Sequence, residues 1–186
     1  MKNVPLVRAT LPRKSKNEIS GFAGDFFEVC MEKELVLSPT VEKAVSLFMN
    51  GYNCAQAVYG AFAPLFGVEE KEALRLASPF GGGFGRMREV CGAFSGITLT
   101  LGLVFGYDSP DHPEKDLLYP RVQALGERFR GNFGTLVCRE LLKNQAEVGG
   151  VASPRTAEYY AVRPCARIVL GATEILEEYL KEEGVL

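Results

Sequence analysis

Residues 90–107 read VCGAFSGITLTLGLVFGY, eighteen consecutive positions without a charge. That is long enough to cross a bilayer as a helix. Four glycines (Gly92, Gly96, Gly102, Gly106) with Ser95, Thr98 and Thr100 dilute its hydrophobicity, and one flank lacks a cationic anchor. A helix that is apolar on every side also suits the centre of a helical bundle. The segment is therefore read as a buried central helix, without membrane insertion, and other helices are expected to wrap it.

The flanking sequence supplies them. Ser38-Pro39 reads as an N-cap followed by a first-turn proline, with Asn50-Gly51 as the stop. Asn53 caps a second helix, CAQAVYGAFAPLF, ending at Gly67, and EEKEALRLAS (69–78) gives a third with acids in its first turn. Beyond the central helix, one helix is expected over about 117–130, stopped at Gly131. Another is expected from Thr135 through TLVCRELLKNQAE, then a loop through Gly149, Gly150 and Pro154, then a last helix from Pro164 to about Glu183. An earlier helix, about 25–37, joins the basic N-terminal arm to the body. Polar–apolar alternation of strand period is almost absent. The fold class is all-α: a single-domain, multi-helix bundle around a central apolar, glycine-rich helix. Residues 1–37 form the arm and its helix, and residues 38–186 the functional body.

Composition narrows the chemistry. The chain has 186 residues, enough for one core without disulfides. With 21 Lys plus Arg against 23 Asp plus Glu, no global field exists to hold nucleic acid. One histidine, His112, excludes a multi-histidine metal site or a His–His acid–base pair within the chain, and leaves a Glu-x-x-His di-iron site without its motif. The N-terminus lacks a secretory apolar core, so the expected compartment is the cytoplasm, where structural disulfides are rare.

Five cysteines remain. Cys54 follows its cap Asn53, Cys91 lies at the start of the central helix, Cys138 follows Thr135 by three residues, and Cys165 follows Pro164. All four fall in or near the first turn of a helix, where unpaired N–H groups and the dipole favour a thiolate. Arg88, Arg139 and Arg163 stand close by in sequence and would lower thiol pKa values further. Cys30, inside FFEVCMEKEL, reads as a packing residue. No CxxC occurs, so only tertiary structure can bring the four together. The loop PFGGGFGR (79–86) permits positive φ and close backbone approach, so Gly82, Gly83, Gly85 and Arg86 are candidates to wrap amides around an anionic sulfur or cofactor. It lacks the Lys-Ser/Thr of a P-loop.

Four stretches, GYNCAQAV at Cys54, GGGFGR leading into CGAFSG at Cys91, FGTLVCRELL at Cys138 and RPCARIV at Cys165, resemble the redox-active proteins named for their C-GCAxxG-C-C cysteine pattern. The likeness spans about residues 38–180 and omits Cys30 and the arm. It implies a small helical domain whose four cysteines act together in redox chemistry with a redox partner protein. Three uses of Cys54, Cys91, Cys138 and Cys165 stay open. They could hold an iron–sulfur cluster for electron transfer, cycle as a catalytic thiol–disulfide pair without a cofactor, or form a structural four-cysteine zinc site or interaction module. The face lined by Gly92 and Gly96 would suit a homodimer.

Overall fold

A computed structural model describes residues 37–143 and 148–186. Within them the chain is all helical: α1 (Pro39–Met49), α2 (Cys54–Phe62), α3 (Glu70–Ala77), α4 (Gly92–Phe105), α5 (Lys115–Phe133), α6 (Cys138–Leu141), α7 (Ala157–Val162) and α8 (Cys165–Glu182). The arm, the expected helix over 25–37 and Cys30 lie outside the described residues. No described helix is long and apolar enough to cross a membrane.

The first helices begin where the side chains direct. Ser38 Oγ accepts from Val41 N at 3.2 Å, and Pro39 opens α1. At α2, Asn53 Oδ1 accepts from Ala55 N and Gln56 N at 3.0 Å each, while Gln56 Oε1 accepts from Asn53 N, a complete capping box. A 3-10 turn (Ala63–Phe66) then ends at Gly67 with φ +83°.

The centre is a pair of helices rather than one. Every residue of α2 from Ala57 to Phe62 is buried, as are residues 92–97 of α4. Gly96 makes their contact close: a Cβ there would lie 2.7 Å from Val58 Cβ. The face with Gly92 and Gly96 is thus used inside the chain and lends no support to a dimer. Helices α1, α3 and α8 pack on α2, and α5 and α8 on α4. Phe48, Phe62, Ile97, Leu101, Leu125, Phe129, Leu176 and Leu180 fill the space between them.

Three boundaries differ from the sequence expectation. Helix α5 runs through Gly131 and ends at Phe133, because the left-handed residue is Gly134 (φ +86°), not Gly131. The extra turn lets Phe133 stack on Phe129 (centroids 4.7 Å apart) and fill a notch at Gly171. Thr135 does not cap a long helix. Its Oγ1 accepts from Val137 N, two residues on, and residues 136–138 run extended against 89–91. Cys91 N donates to Leu136 O at 2.8 Å and Cys138 N to Glu89 O at 2.6 Å, around an isolated Val90–Val137 bridge. Helix α6 therefore begins only at Cys138 and closes at Leu141. Lastly, the expected loop before Pro164 contains α7, capped by Thr156 Oγ1 on Tyr159 N.

Candidate functional site

The four cysteines meet. Cys54 and Cys165 are the first residues of α2 and α8, Cys138 the first of α6, and Cys91 the N-cap of α4. All four line one cavity of about 40 Å³, and all are free thiols. Cys91, Cys138 and Cys165 are buried, and Cys54 half-buried. A water molecule needs about 10–15 Å³ measured in this way, so the cavity has room for roughly three water-sized groups.

Two contacts bring the cysteines this close. A Cβ on Gly92 would stand 3.3 Å from Cys54 Cβ and 3.0 Å from Phe80 O, so glycine after Cys91 lets α4 approach α2 at the site. The bridge between residues 90 and 137 ties Cys138 to the same end of α4 as Cys91.

The glycine loop has a conformation that periodicity could not foretell. Five consecutive residues, Gly82 to Arg86, all have φ between +54° and +71°, and Arg88 follows at +64°. Left-handed backbone costs about 1–2 kcal/mol for each residue with a Cβ, here Phe84, Arg86 and Arg88, and glycine avoids it. The loop's amides turn inward. Phe84 N, Gly85 N, Arg86 N, Arg88 N and Glu89 N all donate to carbonyls of residues 79–83. Those amides are consequently not offered to an anion, contrary to the expectation for Gly85 and Arg86. Of the four loop candidates only Gly82 lines the cavity. Gly83 supports it from behind, where a Cβ would lie 2.7 Å from Cys138 Cβ; Gly85 and Arg86 are not among the lining residues.

What the loop delivers is Arg88, a buried guanidinium hydrogen-bonded to Cys138. Arg155 and Arg163 complete the lining cations, with Tyr159 between them: its ring centroid is 4.5 Å from the Arg155 guanidinium and 4.6 Å from that of Arg163. Arg155 Nη2 also donates to Tyr52 O at 3.1 Å. Arg139, which its position beside Cys138 marked as a candidate, instead pairs with Glu89 and does not line the cavity. Arg155 and Tyr159 escaped the sequence reading, since they lie in and just after a Gly/Pro loop with no pattern pointing to a cysteine.

These surroundings divide the four thiols. Cys54 donates a hydrogen bond to the Cys165 sulfur and thereby holds Cys165 below the ordinary thiol range, helped by the charges of Arg163, Arg155 and Arg88. The same bond, then burial, raises Cys54 well above that range. Capping sharpens the asymmetry. Asn53 already takes up amides at the start of α2, while no side chain caps α8 under Cys165. Burial pushes Cys91 up to about 12 despite the pull of the Ala93 and Phe94 amides. Cys138 is raised as well, burial outweighing Arg88. Helix starts and nearby arginines therefore lower one thiol, Cys165, and not all four. Burial, then the Cys54 and Cys165 charges, also lift Tyr159 to about 12, so it remains a neutral phenol between its two arginines.

The family model described as "Putative redox-active protein (C_GCAxxG_C_C)" matches residues 52–179, which include all four of these cysteines. The chain belongs to this family. Membership places it among the redox-active proteins of the C_GCAxxG_C_C type, and the residues lining the cysteine cavity all lie within the matched range. No curated protein and no solved structure matches the chain. Among the described residues, no group of three or more His, Cys, Asp or Glu is set to hold a metal ion.

Proposed function

We propose that this protein is a thiol–disulfide redox protein of the cytoplasm in which Cys165 is the nucleophile and Cys54 the resolving thiol. The observation that carries the reading is the meeting of Cys54 and Cys165 in one cavity lined by Arg88, Arg155 and Arg163, which lowers Cys165 while Cys54 is raised. A thiolate next to a protonated thiol is the arrangement from which a disulfide forms.

With a peroxide as oxidant, the Cys165 thiolate attacks one oxygen and the O–O bond breaks, giving a sulfenic acid and hydroxide. The Cys54 sulfur then attacks the Cys165 sulfur and the S–O bond breaks. Cys54 loses its proton, a second hydroxide leaves, and that proton converts one hydroxide to water. Two electrons have passed from the thiols to the peroxide, and the product is a Cys54–Cys165 disulfide. A dithiol redox partner protein would return two electrons by exchange. Cys91 and Cys138, held protonated by burial, complete the site as a reserve pair or as packing.

An iron–sulfur cluster is the second reading, favoured by the convergence of four cysteines on one cavity; it would supply one-electron transfer. Against it stand the pairing of Cys54 with Cys165, the inward-turned loop amides, and a described site with no ready ligand group. A structural zinc site meets the same objection. The test is anaerobic purification with iron, sulfide and zinc analysis, followed by stoichiometric peroxide and peptide mapping. Metal-free protein that gains a Cys54–Cys165 disulfide supports the proposal. Brown protein carrying iron and sulfide would replace it with the cluster.

A further inference from the structure

Three arginines, Arg88, Arg155 and Arg163, line the cavity. Arg155 and Arg163 both line it, and among the described residues neither has a carboxylate partner and no Asp or Glu lines the cavity. Elsewhere in the chain Arg121, Arg128, Arg130 and Arg139 each pair with a glutamate. Arg155 Nη1 is buried without a hydrogen-bond partner, although Nη2 of the same guanidinium is anchored on Tyr52 O. A buried donor left open is costly unless something accepts from it.

Both guanidiniums are also held in place before any ligand arrives. Tyr159 lies against both, and Phe48 lies 5.0 Å from Arg155. Fixed cations lose little freedom on binding, and guanidinium groups suit oxygen anions because their N–H donors form a planar fork. The volume sets the size of the guest. About 40 Å³ excludes a nucleotide and suits a few oxygen atoms around one centre.

We propose that the cavity is an oxoanion site, in which Arg155 and Arg163 hold a small inorganic oxoanion of sulfate size or smaller beside the Cys165 sulfur. This goes beyond the thiol–disulfide reading and does not depend on it: the anion is recognised by the arginines, whether or not Cys165 turns over. The consequence for the redox site is competition, since an occupied cavity shields Cys165 from other small reactants.

The experiment uses the full reduced chain with sulfate as the probe, titrated by calorimetry at pH 7.5, with chloride at matched ionic strength as the control. Saturable sulfate binding that chloride does not reproduce is expected, together with slowed iodoacetamide labelling of Cys165. Arg163→Gln and Arg155→Gln should each weaken binding about tenfold or more, the loss of one charge-assisted contact. Arg155→Lys, which keeps the charge and can still reach Tyr52 O, should weaken it less and guards against misreading a folding defect. Cys165→Ser, which cannot form the disulfide, should still bind sulfate, because Arg155 and Arg163 are untouched. Sulfate heat indistinguishable from chloride, unchanged binding in both glutamine variants, or loss of binding in Cys165→Ser would each overturn the oxoanion site. None of these outcomes bears on whether Cys54 and Cys165 form a disulfide.

Discussion

Among the described residues, two regions set arginines against aromatic rings, and they differ in what balances the charge. Between α5 and α8, Arg128 lies 5.4 Å from the Tyr179 ring and pairs with Glu182, while Arg121 lies 4.1 Å from the Phe105 ring and pairs with Glu183. At the cavity, Arg155 and Arg163 bracket Tyr159 in a similar way, but the group whose ionisation they favour is the Cys165 thiol. The aromatic contact is a scaffold in both places. Only at the cavity, where carboxylates are missing, is the positive field left to act on a thiol. A guanidinium paired with glutamate in a partly exposed groove adds little to stability and nothing to chemistry. One facing a buried sulfur shifts its ionisation.

The largest effect expected from breaking this contrast lies at the cysteines. Cys54→Ser or Cys165→Ser should abolish the peroxide-induced intramolecular disulfide, read by peptide mapping, whereas Cys91→Ser should retain it. Next, Arg163→Gln should slow the labelling of Cys165 at pH 7, because losing that cation raises the thiol's pKa. Arg121→Gln, in the glutamate-paired region, should leave that rate unchanged.

Gly83→Ala probes the loop behind the cavity. The new Cβ would sit at φ +71° and 2.7 Å from Cys138 Cβ, so either the left-handed run or Cys138 must move. A stability loss of roughly 1–3 kcal/mol in chemical denaturation is expected, with Cys138 labelled faster. Gly134→Ala, a left-handed position with nothing within 4 Å, should disturb no cysteine.

Much of this was legible from sequence, for identifiable reasons. Asn53 before Cys54 and Pro164 before Cys165 announce helix starts through local chemistry, and local chemistry survives folding. The uncharged run 90–107 marked α4 as buried, although α2, with small residues such as Ala57, Gly60 and Ala61, shares the centre. The site's electrostatics were not legible. Helix starts and flanking arginines suggest four activated thiols, but the bond to Cys165 and then burial reverse the effect at Cys54, and burial reverses it at Cys91 and Cys138; all of this is set by tertiary packing. Arg155 reaches the cavity from more than a hundred residues beyond Tyr52, a distance no motif spans. The left-handed turn at 82–86 lies outside any helical or strand period.

Smaller effects follow from the same contrast. Cys91 is lifted to about 12 in the fold but would titrate at about 8.5 when unfolded, so the unfolded chain loses its proton first as pH rises. Stability of the reduced protein should be fully present below about pH 8.5 and fall as pH climbs toward 12, with Cys91→Ser flattening the decline. Cys165 acts with the opposite sign: its lowered pKa contributes stability above the unfolded value that is lost as pH falls through the folded one. Smallest of all, Arg128→Gln should move the thermal midpoint by no more than about 2–4 °C, as expected for an exposed ion pair.

The central claim, that one thiol of the four is set apart by the arginines and by Cys54, is tested most directly by labelling. The rate of iodoacetamide modification would be followed at each of the four cysteines against pH, in the reduced protein, by mass spectrometry. Cys165 should react first and titrate below the range of a free thiol, with Cys54, Cys91 and Cys138 silent until far higher pH. Four cysteines titrating together, or Cys165 titrating above any of the others, would contradict it.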